Sequence, residues 1–155
     1  MNLTIERTAV VTDEVRQLVA ELDMALAGPY LPEQRHALSL EQLFGRNVRF
    51  FVARADGIAV GCGGVAFCDG YAEVKRMYTR PTARRLGVAT GVLQHLEGEA
   101  KGAGHSILRL ETGRYQVEAI RLYLREGFER CDAFGDYASM APQAVETSVF
   151  YQKTI

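Results

Sequence analysis

The chain has 155 residues, of which 48% are hydrophobic and 24% are charged, and its formal net charge at pH 7 is −1. This length suits one domain with a substantial core, so we expect residues 1–155 to form a single domain. The small net charge gives no general attraction to nucleic acid or to an anionic membrane, and we expect neither as a partner. The longest apolar run, residues 58–67, is too short to cross a bilayer.

The three cysteines and three histidines give no metal or disulfide pattern. An odd number of cysteines, together with an N-terminal sequence that lacks a basic and apolar leader, favours a cytoplasmic protein with free thiols. His36, His95 and His105 lack the spacing of metal ligands, so they are interpreted as surface or turn residues and no metal site is expected.

The first half of the chain predicts two helices and a run of antiparallel strands. Residues 3–7 predict a strand, and Asp13 is a candidate cap for a helix with one apolar face. Pro32 would open a second helix that ends at Gly45. Turn signals of the type Asp-Gly then separate three further strands. These three strands span residues 48–53, 58–67 and 71–79.

The second half alternates strands and helices. A helix over residues 85–102 shows apolar residues at every fourth position and is stopped by Gly102 and Gly104. The strand that follows, near residues 107–110, completes a strand–helix–strand unit and implies a parallel, right-handed crossover. The remaining segments are a helix at about 116–126, a strand from Phe128, a loop at 134–146 and a closing strand at 147–153. We therefore expect an α/β (α+β) fold with a mixed, mostly antiparallel central sheet and helices on both faces.

The turn before the helix at 85–102 has the features of an anion site. A helix start leaves backbone N–H groups without partners and carries the positive end of the helix dipole. The small residues Gly87 and Ala89 would let a ligand approach that backbone closely, which suits a phosphate or pyrophosphate. A basic patch suited to one small polyanion is predicted around it, formed by Arg76, Arg80, Arg84 and Arg85.

Two motifs in this half resemble those of the GCN5-related N-acetyltransferase (GNAT) superfamily. Arg84-Arg85-Leu86-Gly87-Val88-Ala89 fits the family's Arg/Gln-x-x-Gly-x-Gly/Ala loop, which wraps the pyrophosphate of acetyl-CoA. Residues 119–128 resemble the family's closing helix, whose tyrosine, here Tyr123, shortly precedes Gly-Phe. The resemblance covers most of residues 48–155 and implies a GNAT-like domain with acetyl-CoA as its co-substrate. Its implied cofactor-binding residues are Met77, Tyr78, Thr79, Arg84, Arg85, Leu86, Gly87, Val88, Ala89, Thr90, Gln116 and Tyr123.

The resemblance also implies catalytic roles. A backbone N–H of residues 77–79 would stabilise the developing oxyanion, and Tyr123 would protonate the departing thiolate. Glu73 on the central strand would take the proton of the amine, either directly or through water. Each assignment has an alternative: Tyr123 as a core aromatic, Glu73 as a carboxylate paired with Lys75 or a cross-strand cation, and Glu111 as the base instead of Glu73.

The expected activity is transfer of the acetyl group of acetyl-CoA directly to a primary amine, and we expect the acceptor to be a small molecule. Loops around Pro29-Tyr30 and residues 134–137, with Arg114 nearby, would line the acceptor pocket and suit an amine with a second polar group. Gln116 departs from the family's frequent asparagine but could still bond the pantetheine. The alternatives are a non-catalytic acyl-CoA-binding sensor and a peptide or protein N-acetyltransferase. Relatives often form dimers, so a homodimer is a further expectation.

Overall fold

Seven strands form one continuous sheet in the order β1-β2-β3-β4-β5-β7-β6. The structure, a computed structural model, describes all 155 residues. The strands are β1 Leu3–Arg7, β2 Val48–Ala55, β3 Ile58–Phe67, β4 Ala72–Thr79, β5 Ile107–Gly113, β6 Glu129–Cys131 and β7 Ser148–Thr154. The helices are α1 Asp13–Ala27, α2 Leu40–Leu43, α3 Val88–Gly102, α4 Val117–Arg125 and α5 Pro142–Val145. No helix is both long and apolar enough to cross a membrane.

The sheet separates two hydrophobic clusters, so helices pack on both of its faces as predicted. The larger cluster joins the sheet to α3 and α4 and includes Val92 and Leu96. The smaller one joins the opposite face to α1 and α2 and includes Leu18 and Leu43. All neighbouring strands pair antiparallel except β4 and β5, which are parallel and connected through α3. The predicted mixed, mostly antiparallel sheet is therefore confirmed.

The two parallel strands at the centre of the sheet separate soon after they meet. Their only paired residues are Ala72 with Leu108 and Glu73 with Arg109. Beyond Glu73, β4 has no strand partner on the side that faces β5. A gap therefore opens between the carboxyl-terminal halves of β4 and β5, in the middle of the sheet.

A bulge bends β4 just where this gap begins. The pairing of Gly64 with Lys75 is followed by that of Cys62 with Tyr78, so β4 carries one extra residue, and Arg76 takes a left-handed φ of 55°. Gly63, opposite the bulge, allows α3 to lie close to the sheet, because a Cβ there would be 2.7 Å from Val92 Cγ1. The bulge and this close helix packing together set the course of β4 along the gap.

The predicted helix from Pro32 to Gly45 is wrong. A short 3₁₀ turn at Pro32–Gln34 is followed by extended backbone at Arg35, and only Leu40–Leu43 is helical. The Ser39 side chain accepts a hydrogen bond from the Gln42 N–H, which makes Ser39 the cap of a new, separate helix. The segment between α1 and α2 is thus irregular, and its side chains reach the cleft that continues from the gap.

Three smaller expectations also need correction. Thr12, and not Asp13, caps α1, because its side chain accepts from the Val15 N–H. Helix α3 begins at Val88 and not at residue 85, since Arg85 and Gly87 have positive φ angles that a right-handed helix excludes. The segment 134–146, expected as a loop, contains a 3₁₀ helix at Gly135–Ser139 as well as α5.

We predict that Gly63→Ala lowers the free energy of unfolding by about 1–3 kcal/mol, because the added methyl overlaps Val92 and Met77. Gly98→Ala is the matched control. Gly98 lies exposed within α3 with no atom within 4 Å of an added Cβ, so the same change should stabilise by about 0.5–1 kcal/mol. Urea denaturation of both variants measures the two effects, and equal effects of the same sign would contradict the close packing.

Candidate active site

The gap between β4 and β5 continues into a cleft with an empty volume of about 800 Å³, including space open to solvent. Side chains from both strands, from α1, from the segment after α1 and from α4 line it. Four of the predicted site residues line this cleft: Glu73, Met77, Gln116 and Tyr123. Residues 84–90 do not line it, and they form a separate feature at the start of α3.

The start of α3 presents a run of unpartnered backbone donors. The Arg84 N–H bonds to Pro81 O and the Gly91 N–H bonds to Gly87 O, but no N–H between them makes a hydrogen bond within the protein. The left-handed conformations of Arg85 and Gly87 turn this backbone so that successive N–H groups can converge, an arrangement that binds anions. The geometry fits the predicted pyrophosphate loop, and a helix of 15 residues adds its dipole.

The predicted patch of four arginines is wrong, because two of them belong to the other face of the sheet. The Arg76 guanidinium lies 2.8 Å from Asp23 Oδ1, and that of Arg80 lies 3.0 Å from Glu21 Oε2. Both acidic residues lie on α1, so these arginines hold that helix to β4. Only Arg84 and Arg85 remain at the start of α3, and the Arg84 Nε donates to Thr79 O at 3.2 Å.

Residues 77–79 lie along the edge of β4 that faces the gap. The Met77 side chain reaches the cleft and also packs against the larger core cluster. The Tyr78 side chain turns to the opposite face, where its hydroxyl donates to Glu21 Oε1 at 3.1 Å. Because β4 lacks a strand partner here, an extended ligand could add to its edge; the cofactor contacts of Met77, Tyr78 and Thr79 stay predictions.

Tyr123 offers a free phenol to the cleft. It is 5% exposed, and its hydroxyl makes no hydrogen bond to another protein group. Burial, and to a smaller degree the nearby Glu111 charge, raises its pKa above the usual value of a tyrosine. The phenol therefore stays protonated at neutral pH, so its proton is present for a strongly basic group that forms beside it. Gln116, at the start of α4, also lines the cleft, and its side chain makes no capping hydrogen bond.

Glu73 is engaged in a small hydrogen-bonded ring at the bottom of the cleft. Its Oε2 lies 2.8 Å from Lys75 Nζ and accepts from the Tyr137 hydroxyl at 2.7 Å. Lys75 also donates to that hydroxyl at 2.7 Å, and the pKa of Tyr137 is raised by burial and by Glu73. The Glu73–Lys75 ion pair, considered above as an alternative to a catalytic role, therefore forms. The other carboxylate oxygen, Glu73 Oε1, has no protein partner and is not sealed from solvent.

Glu111 faces the same cleft from β5. Its Oε2 accepts from the Ser148 hydroxyl at 2.7 Å. Burial raises its pKa above 4.5, the charge of Glu73 adds to that shift, and His36 and Lys75 oppose it. Two carboxylates thus face one cleft from opposite sides of the gap, and each has one oxygen held by protein donors.

The segment after α1 forms a roof over one half of the cleft. The Tyr30 hydroxyl accepts from the Tyr115 N–H at 3.0 Å and sits over Gly113, where a Cβ would be 2.0 Å from that oxygen. His36 Nε2 lies 2.7 Å from Ala144 O. Since a carbonyl oxygen only accepts, Nε2 carries the proton. These contacts anchor the segment at two points beside the half of the cleft that is called the roofed pocket below.

Sequence reasoning found part of this pocket. Tyr30 and Tyr137 line the cleft as expected. Phe134 does not line the cleft but packs against Tyr137 in an aromatic cluster, and Arg114 is exposed and donates a hydrogen bond to the Tyr115 hydroxyl. His36 was not predicted as a site residue, because the sequence places it in a predicted helix that does not form. Its position in the segment between α1 and α2 is the only feature of the sequence that could have indicated it.

The chain matches the Acetyltransferase (GNAT) family model over residues 15–128. It is 45% identical over 138 residues to an IAA acetyltransferase from Azospirillum brasilense, covering 88% of this chain and 90% of the relative. A Klebsiella pneumoniae structure assigned as an acyl-CoA N-acyltransferase superposes with a TM-score of 0.82 at 34% identity, covering 98% and 97%. An Elizabethkingia anophelis GNAT acetyltransferase with acetyl-CoA bound shares the fold, with a TM-score of 0.69, 15% identity and 99% of both chains.

These likenesses show that the chain belongs to the GNAT family and is an acetyltransferase. The predicted family and fold are confirmed. The roles of individual residues stay predictions, supported by the geometry described above.

We predict that Glu111→Gln gains stability relative to the wild type as pH rises from about 4 to neutral. The pKa of the Glu111 carboxyl is higher in the folded protein than its value of 4.5 in the unfolded chain. Such a group stabilises the folded state at pH values below 4.5, and this stabilisation is lost as pH rises through the pKa of the folded protein. The glutamine cannot ionise and avoids this loss. Urea denaturation across the pH series measures the difference, with the exposed Glu118→Gln as a reference for removing a surface charge. A difference that falls with pH would contradict the buried, raised carboxyl.

Proposed function

We propose that this acetyltransferase moves the acetyl group of acetyl-CoA directly to the primary amine of a small molecule in the cytoplasm. The observation that carries the proposal is the gap between β4 and β5. One end of it lies beside the start of α3, where Arg84 Nε donates to Thr79 O at the end of β4, and the other opens into the roofed pocket with its two carboxylates. The gap can therefore bring a thioester from one side to an amine from the other.

The cofactor side is supported by three separate features of the chain. The backbone donors between Arg84 and Gly91 suit a pyrophosphate. The free edge of β4 and the uncapped Gln116 amide suit the amides of a pantetheine arm. Acetyl-CoA supplies the activated acetyl group and a thiolate leaving group. A relative of the same fold has acetyl-CoA bound, which supports the same co-substrate here.

The acceptor side favours a small molecule over a peptide. Tyr30 and His36 on one wall of the pocket are held by hydrogen bonds to Tyr115 and Ala144, which opposes a movement of this segment to admit an extended peptide. The 45%-identical relative is named an IAA acetyltransferase, and a small acceptor is consistent with that name.

The residues of the cleft can serve each proton transfer. The amine nitrogen bonds to the acetyl carbon while the carbon–sulfur bond breaks, and Tyr123 gives its proton to the departing sulfur. The proton released by the amine goes to a carboxylate. Glu73 takes it, directly or through water, by its free oxygen, with Glu111 as the alternative; both face the pocket from opposite strands. A backbone N–H of residues 77–79 stabilises the charge on the carbonyl oxygen.

Incubation of the pure protein with acetyl-CoA and a panel of amines, amino acids and short peptides tests the proposal through free thiol release. We expect release with small primary amines and little with peptides. Release with peptides alone would contradict the small-molecule assignment. Tight cofactor binding without release from any acceptor would contradict the proposed reaction.

Tyr123→Phe should lower kcat by about a hundredfold or more with little change in cofactor affinity, because it removes only the proton donor. The Tyr123 hydroxyl has no protein partner, so the phenylalanine preserves the packing against Phe128 and the fold should stay intact. Steady-state thiol release gives kcat, and calorimetry with CoA gives the affinity. Unchanged turnover would show that Tyr123 is not the acid.

A further inference from the structure

Cationic side chains outnumber carboxylates in the lining of the cleft. The lining includes three cationic side chains, Arg35, Lys75 and Arg76, and two carboxylates, Glu73 and Glu111. Lys75 pairs with Glu73, and Arg76 pairs with Asp23 outside the lining, which leaves Arg35 and Glu111 without an ionic partner. Counted within the lining alone, cations exceed carboxylates by one, and Asp23 offsets this excess from the exposed side of α1.

Arg35 has no acidic partner. It lies on the extended backbone just after the 3₁₀ turn, in the roof over the pocket. Its side-chain contact is a long hydrogen bond of 3.4 Å from Nε to Leu31 O, and no carboxylate lies within ion-pair distance. A half-buried guanidinium beside a pocket, with most of its donors free, is placed to receive an anionic group.

Arg76 adds a second, deeper positive charge. Its side chain is 3% exposed, and its Nε and Nη1 have no hydrogen-bond partner. Its one ionic partner, Asp23, is 56% exposed. Because water screens the Asp23 carboxylate, this carboxylate compensates the charge of Arg76 only in part. Buried guanidinium donors without partners are rare in proteins and call for a physical reason. An anion bound in the cleft above would supply the missing compensation through space.

We propose that the acceptor is a primary amine that also carries a carboxylate or a similar anionic group. This inference rests on the proposed function and adds the substrate class. Arg35 in the roof contacts the anion, and Arg76 favours it electrostatically from below. The amine then points to Glu73 on β4 and Glu111 on β5, and the thioester lies between these two strands. A simple amine or a polyamine would leave Arg35 without an ionic partner.

Matched pairs of acceptors test this directly. Each amino acid is compared with its own amide and with the amine that lacks the carboxyl group, at equal concentrations of free base, since amidation lowers the pKa of the amine. Initial rates of thiol release give kcat/KM for each member. We expect the carboxylate-bearing member to be preferred by roughly tenfold to a hundredfold, the scale of a hydrogen bond between charged groups. Equal or better use of the uncharged members would overturn the inference.

Variants of Arg35 show whether this residue carries the preference. Arg35→Gln should raise KM for the carboxylate-bearing acceptor by tenfold or more and leave KM for the matched amide unchanged, while Arg35→Lys should restore part of the preference. Arg16→Gln is the matched control, because Arg16 is an exposed arginine on α1 with no ion pair. An equal loss on both members of a pair would assign Arg35 a structural role and overturn the inference.

The outcomes also separate this inference from the function on which it rests. Release with amines that lack an anion, and with no others, would keep the proposed function and overturn the substrate class. Absence of release from every acceptor, despite bound cofactor, would overturn both.

Discussion

The separation of two parallel strands determines how this molecule can work. β4 and β5 share two residue pairs and then diverge, which leaves one edge of β4 without hydrogen-bond partners in the middle of a sheet. Backbone N–H and C=O groups in such a place must be satisfied by water or by a ligand. An extended ligand that carries amides can form these hydrogen bonds. The other features of the site lie along the same edge of β4. The bulge at Arg76 and the close approach of α3 at Gly63 hold the divergence in place.

The two ends of the gap differ in how they carry charge. At the start of α3, positive potential comes from backbone N–H groups and two exposed arginines, which suits a highly charged, solvated pyrophosphate. In the roofed pocket it comes from side chains, among them Lys75, which is paired with Glu73, and Arg76, which is 3% exposed. This second arrangement is more selective, because a buried charge tolerates only a ligand that compensates it.

Much of the fold could be predicted from the sequence, because its strands and long helices follow simple periodic patterns. The helix at α3 and the strand after it show this best, with Val88, Val92 and Leu96 on the buried face. The loop that begins α3 could also be predicted as an anion site, since it contains small residues and a glycine, Gly87, that adopts a left-handed backbone conformation. Tyr123 and Gln116 reach the cleft because they lie on a helix whose register the motif sets.

The errors came from features that depend on tertiary contacts. Simple alternation along β4 would place Arg76 on the same face as Val74, towards α3. The bulge at a non-glycine residue reverses this and turns Arg76 to α1, and no local sequence signal announces it. In the same way, Pro32 is a reasonable helix start, but the contacts of Tyr30 and His36 with distant residues pull the segment into an irregular roof. The roofed pocket, built from these pieces, is therefore visible only in the structure.

The measurement that tests the account most directly is a crystal structure of the protein with coenzyme A. The account predicts a pantetheine arm along the free edge of β4, a sulfur atom within hydrogen-bond distance of the Tyr123 hydroxyl, and a pyrophosphate on the N–H groups between Arg84 and Gly91. A cofactor bound outside the gap between β4 and β5, or a pyrophosphate placed elsewhere on the surface, would contradict it.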